Sequence, residues 1–261
     1  MAEDFLHRQV SSLGKLTFRL GLAVIHGIDG AGIREALDGE VNYVFFNPTA
    51  RKLVTPLRDA LRRDRERYLV ATGPTFGWLP GSARRRVESA LRMLGTDYLD
   101  VLQLYWLGKM SALTEAIVEE MLRLREEGKV RALGASIHDR VRAGRLAEDS
   151  ALDLLMIRYN AAHPGAETDV FPHLSRRKPA VIAYTATCWR RLLRAPRGWT
   201  GSAATAGDCY RFCLTNPSVD VVLFSPADSR ELRQDLVEVA RGPLSDGEMS
   251  RMRELGRAVH G

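Results

Sequence analysis

Cysteine is scarce in this chain, and no apolar run approaches the length of a membrane span. Only Cys188, Cys209 and Cys213 are present. An odd, sparse set excludes a disulfide framework and predicts reduced thiols, as in a cytoplasmic protein. Cys209 and Cys213 lie four apart on a predicted helix with no second pair, so they do not form a four-ligand metal site. A transmembrane helix needs about 18 or more consecutive apolar residues, and no such stretch occurs. The opening residues, MAEDFLHRQV, are too charged to read as a signal peptide. Aromatic residues make up only 7% of the chain. No basic stretch is interleaved with them in the manner of a nucleic-acid module, so neither nucleic acid nor membrane is an expected partner. Linkers, low-complexity tracts and shifts of composition are absent too, which predicts one domain over residues 1–261.

What the chain has is a steady alternation of apolar runs and amphipathic segments. Hydrophobic residues make up 45% of its 261 residues and charged residues 27%, a globular balance at a length common for α/β barrels. The net charge of +6 comes mostly from arginine, in runs such as Arg84-Arg85-Arg86 and Arg190-Arg191. It suits solvated helix faces as well as an anionic cofactor. Strand-like runs fall at 19–24, 43–46, 68–72, 101–106, 131–136, 154–160, 180–185 and 219–224. Helical patterns follow at 30–38, 51–64, 82–94, 111–127, 139–149, 167–176, 203–214 and 229–241. In the third, Val87, Ala90, Leu91 and Leu94 recur at helical spacing, with Ser82 to open it and Gly95 to stop it. Eight such units predict an α/β fold, a single (β/α)₈ TIM barrel. Residues 5–20 predict an N-terminal β-hairpin plugging the barrel bottom. Residues 243–261 predict an extra C-terminal helix starting at Ser245 or Asp246.

In such a barrel the C-terminal strand ends carry the chemistry. Here those ends bring forward His26, residues 45–47, Thr72-Gly73, Tyr105-Trp106, residues 136–138, residues 158–160, Tyr184-Thr185 and the stretch from Ser225 onward. The segments RLGL (19–22), VESALRMLGTDYLDVLQLYW (87–106), GKVRALGAS (128–136), YN (159–160), VIAYT (181–185) and PLSDGEMSRMRELG near the end resemble the aldo-keto reductases. That resemblance implies an NAD(P)H-dependent (β/α)₈ enzyme in which a tyrosine donates the proton. A lysine lowers that tyrosine's pKa, an aspartate pairs with the lysine, and a histidine orients the carbonyl. Carried over position by position, the aspartate falls at Phe45, the tyrosine at Ala50, the lysine at Gly73 and the histidine at Tyr105. All four are substituted, which implies an atypical branch, a pseudoenzyme candidate. Removing one member of a buried ion pair costs about 3–5 kcal/mol, whereas here both members are replaced together.

The family's nicotinamide contacts fall on Ser136, Ile137 and Met156, so one polar contact remains and two are apolar. Tyr184 matches the tyrosine that stacks on the nicotinamide, and Asn160 belongs to the retained YN pair. Arg230 and Arg233, at the start of the helix after the eighth strand, are placed to meet a phosphate. Retention and loss of NADP(H) both stay open at this level. The densest polar cluster is RYNAAHPGAE (158–167) with SIHDR (136–140) on the neighbouring strand. It offers Arg158 as an anion clamp and His138 and His163 as proton carriers, with Tyr105 near them as a further catalytic candidate. A structural turn accounts for the same string, and His138, His163 and Glu167 make a metal site only if their loops converge. Three functions follow: a barrel that binds a small ligand or protein partner without ordinary reduction, a repurposed enzyme built on His138, Arg158 and His163, or an NADPH oxidoreductase with a displaced donor.

Overall fold

Two antiparallel strands, β1 (His7–Val10) and β2 (Lys15–Phe18), form the predicted hairpin in the computed structural model, which describes residues 4–47 and 49–260. Val10 and Leu13 insert into the barrel interior. The Ser12 hydroxyl accepts the Ala180 amide at 3.1 Å. The tightest anchor is Asp100, which is 2% exposed. Its carboxylate accepts from Lys15 Nζ at 3.1 Å, Arg65 Nη2 at 2.8 Å and the Val70 amide at 2.9 Å. Three donors on one buried carboxylate bind the hairpin to the strand starts, so the plug is fixed in place.

Above it, eight parallel strands close on themselves: β3 (Leu20–Ala23), β4 (Tyr43–Phe45), β5 (Leu69–Thr72), β6 (Leu99–Leu107), β7 (Val130–Ile137), β8 (Leu154–Arg158), β9 (Ala180–Tyr184) and β10 (Val221–Phe224). The ring shuts where Val222 of β10 pairs with Leu20 of β3. Alternate residues fill the interior, among them Tyr43, Val101, Leu154, Met156 and Ile182, while their neighbours face the helices. The covering helices are α1 (Gly30–Asp38), α2 (Arg51–Arg63), α3 (Ser82–Leu94), α4 (Glu115–Glu126), α5 (Arg140–Glu148), α6 (Ala166–Asp169), α7 (Ala206–Thr215) and α8 (Ser229–Val239). The extra C-terminal helix is α9 (Asp246–His260). None of the described helices is long and apolar enough to cross a membrane.

Two helix expectations need correction. The segment 111–127 becomes helical only at Glu115, because Thr114 caps it by accepting the Ile117 amide. Helix 167–176 reduces to one turn, α6, and a 3₁₀ turn over Phe171–His173. Pro172 supplies no amide there, so an α-helical ladder cannot run through it. The short crossover leaves the space over β8 to α9, whose Gly256 sits where a β-carbon would be 2.0 Å from the Ala161 carbonyl oxygen. That close approach brings His260, at the end of α9, beside His163, with ring centroids 4.9 Å apart.

Candidate functional site

The mouth of the barrel has two unlike walls. On the wall formed by β4, β5 and β6, Phe45 and Tyr105 pack ring against ring with centroids 5.3 Å apart. The Tyr105 hydroxyl accepts the Gly73 amide at 3.2 Å and lies 3.4 Å from both the Thr72 hydroxyl and the Phe46 carbonyl. Burial pushes its pKa up, against the smaller opposing effects of Thr72, Gly73 and Arg86. At Gly73 the backbone runs so close to β6 that a β-carbon would sit 1.6 Å from the Gln103 carbonyl oxygen. No side chain fits that position. Ala50 stands at the N-cap of α2 and offers no side-chain cap. This wall therefore holds an aromatic pair and a phenol whose hydroxyl is turned to Thr72 and to the Gly73 and Phe46 backbone.

The opposite wall, from β7, β8 and β9, collects the polar cluster. The Tyr184 hydroxyl lies 3.1 Å from His138 Nδ1, and the two rings meet edge to face at 5.9 Å. Arg158 points toward the same space, its guanidinium 5.8 Å from the Trp189 ring centroid. Among the described residues it has no carboxylate or carbonyl partner. His163 stands edge-on to Trp189 at 6.1 Å and lies 3.7 Å from Cys188 Sγ. Burial, then the charge of Arg158, depresses the His138 and His163 pKa values, with His163 lowered to about 4. Both imidazoles are neutral at neutral pH. Burial also raises the Tyr184 phenol to about 12, so it remains protonated.

The remaining sequence-predicted residues are placed elsewhere. Asn160 is fully buried. Its amide donates to the Thr185 carbonyl at 2.8 Å, and its oxygen accepts the Ala162 and His163 amides at 3.0 and 2.9 Å. It ties the loops after β8 and β9 together. Ser136 is buried below Tyr184, and its hydroxyl bears on that phenol. Ile137 faces the helices, while Met156 lies inside the barrel and receives Gln103 Nε2 on its sulfur at 3.2 Å. Glu167 turns away to Tyr159 and Arg253, at 2.6 and 2.9 Å. It does not join His138 and His163, and no metal-ligating cluster of three such residues occurs among the described residues.

A groove of about 380 Å³ runs between the loop after β9 and the start of α8, lined by Arg190, Thr205, Arg230, Glu231, Gln234 and Asp235 among others. A phosphate there would seek the backbone amides at the helix N-terminus. Part of that end is already engaged: the Asp228 carboxylate accepts Glu231 N at 2.8 Å, and the Glu231 carboxylate accepts Ala227 N at 2.8 Å. Arg190 pairs with Glu231 at 3.1 Å, and Arg233 pairs with Glu35 at 2.6 Å on the outer surface. Arg230 projects into solvent.

The sequence of the aldo/keto reductase family matches residues 28–188, and the chain belongs to that family. Over 133 residues it is 26% identical to the aldo-keto reductase YhdN of Bacillus subtilis (strain 168), a stretch covering 48% of this chain and 40% of that protein. Over 98 residues it is 30% identical to the NADH-specific methylglyoxal reductase of Escherichia coli (strain K12), covering 36% and 29%. Each match thus spans less than half of the curated relative. The fold extends further. The holo form of aldo-keto reductase AKR11C1 from Bacillus halodurans superposes with a TM-score of 0.79 at 19% identity, covering 97% of this chain and 96% of that one. An aldo/keto reductase from Klebsiella pneumoniae, in complex with NADP and acetate, gives 0.75 at 20% identity, covering 94% and 93%. At these identities the likeness speaks for the fold.

Proposed function

We propose that this family member does not carry out ordinary NAD(P)H-dependent carbonyl reduction and that its barrel mouth binds a small molecule instead. One observation carries the reading: at Gly73 there is no room for any side chain beside the Gln103 carbonyl, and Phe45 and Tyr105 pack where an ion pair and a donor would stand. Proton donation needs a group whose pKa approaches the working pH. Both tyrosines of the mouth, Tyr105 and Tyr184, are shifted the wrong way for that by burial. The three cysteines are free and buried, which suits a reducing cytoplasm. Calorimetric titration with NADPH tests the cofactor half of the reading. No saturation is expected at millimolar cofactor, and saturable micromolar binding would overturn it.

A second reading is favoured by the two neutral imidazoles beside Arg158. The same wall would then perform non-redox chemistry, with Arg158 clamping an anionic substrate and His138 accepting a proton. On this reading His138→Ala abolishes a measurable turnover without lowering Tm. An unchanged rate would count against it.

A further inference from the structure

The mouth presents an unpaired cation beside an exposed tryptophan, Trp189. Arg158 lies at the top of β8 with no hydrogen bond or ion pair among the described residues. A guanidinium that is partly buried without a partner is costly, and a planar carboxylate is the partner its fork accepts in bidentate fashion. Trp189 sits against it on one side. A second exposed indole, Trp106, faces His138 at 6.5 Å, and His138 in turn meets Tyr184. The two indoles are 48% and 57% exposed, far more than the barrel aromatics, so their faces are open to a ligand.

The backbone holds both indoles in an unusual way. Trp106 and Trp189 have φ of 45° and 53°, and Thr185, Cys188 and Arg190 are also left-handed at 56°, 50° and 67°. None of these is glycine, and bulky residues adopt this region only under strain. Such conformations concentrate at ligand clamps. The electrostatics agree with the geometry. Every charged group that acts on His138, His163, Tyr184 and Cys188 is basic: Arg158, Lys109, Arg140, Arg191 and His260. Arg140 alone of these faces a carboxylate, Asp169 at 2.8 Å.

We infer that the ligand of this mouth is an aromatic carboxylate, its anionic end on Arg158 and its ring against Trp189, with the Tyr184 hydroxyl and His138 as further hydrogen-bonding partners. This rests on the reading that the mouth binds a small molecule. It concerns the wall of β7, β8 and β9, away from the substituted tetrad positions on β4, β5 and β6.

The test titrates the full chain with 2-naphthoate, following tryptophan fluorescence and heat. Two comparators each lack one feature: 2-naphthamide has no charge, and octanoate has no ring. Naphthoate is expected to bind at least about tenfold more tightly than either, a factor worth 1.4 kcal/mol. Arg158→Met should reduce naphthoate to the level of the amide, and Trp189→Leu should erase its advantage over octanoate. Equal binding of naphthoate and naphthamide, equal binding of naphthoate and octanoate, or no naphthoate binding at millimolar concentration would each overturn the inference. These comparisons use the unmodified chain, so they stand even where a variant fails to fold. NADPH consumption is measured on the same preparation. Steady carbonyl turnover defeats the underlying reading, whereas absent turnover with absent naphthoate binding defeats only the ligand class.

Discussion

A β-carbon at Gly73 would lie 1.6 Å from the carbonyl oxygen of Gln103. The residue directly after β5 is therefore a backbone position that admits hydrogen alone, and a lysine placed there by substitution has no room. Gly73→Ala should destabilise the barrel by about 3 kcal/mol or more, the range for overpacking inside a closed core with backbone shifts. Gly73→Lys with Phe45→Asp should fail to give a stable reductase. Urea unfolding measures the first and NADPH consumption the second. A Gly73→Ala chain of unchanged stability would mean that β5 and β6 are not held this close.

Asp100 anchors the hairpin plug through Lys15, Arg65 and the Val70 amide. Truncating it leaves two cations and an amide facing one another in a buried site. Asp100→Ala should cost about 3–5 kcal/mol. The loss should appear as a lower urea midpoint, and hydrogen exchange should rise first in the hairpin. A loss below about 1 kcal/mol, the range of surface pairs, would show that the hairpin is not held through this carboxylate.

Asp235 on α8 is 1% exposed, and burial, with Glu231 and Glu238 adding to it, raises its pKa to about 7. Its unfolded value is about 3.9. The raised folded value means that the unfolded chain releases this proton first as pH increases. Stability from the neutral carboxyl is complete below about pH 4 and lost between about pH 4 and about pH 7. Asp235→Asn removes the ionisation, so its Tm advantage over the parent should grow across that window and stay constant above it. A Tm difference independent of pH would contradict the assignment.

His163 titrates in the opposite sense. Burial first, then Arg158, His260, Arg191 and Arg140, hold it at about 4. From about pH 6.5, the unfolded value, down to about pH 4 the unfolded chain takes up a proton that the folded chain refuses. Stability should fall across that interval. Imidazole proton NMR should find His163 neutral at pH 6. In Arg158→Met its pKa should rise only part of the way, because burial is the larger cause. Full protonation of His163 at pH 6 in the parent chain would refute this.

Much of the architecture was legible in the residues. Helices 30–38 and 82–94 occupy the stretches their periodicity marks, and the eight apolar runs become the eight strands. The sixth crossover was not, because Pro172 breaks a pattern whose apolar spacing still suits a helix. At the site, the sequence names Phe45, Gly73 and Tyr105 at strand ends, but their packing could not be read from it. Nothing in the letters says that Tyr105 turns its hydroxyl to Gly73 instead of joining His138. Asn160 carries the residue type of a ligand contact, yet it is fully buried, with its oxygen turned to the Ala162 and His163 amides and its amide to the Thr185 carbonyl. The approach of Trp189 to Arg158 depends on left-handed backbone at 185–190, and with no glycine there the sequence gives no sign of it.

On the proposed reading, the wall of β4, β5 and β6 does not support carbonyl reduction. The most direct test of that claim is NADPH and NADH consumption by the purified chain, at millimolar cofactor, over a panel of aldehydes and ketones that includes methylglyoxal. The geometry at Phe45, Gly73 and Tyr105 predicts no rate above the uncatalysed background with any of them. Steady turnover of one carbonyl, abolished by Tyr105→Phe or Tyr184→Phe, would contradict the account and place a working proton donor in the mouth.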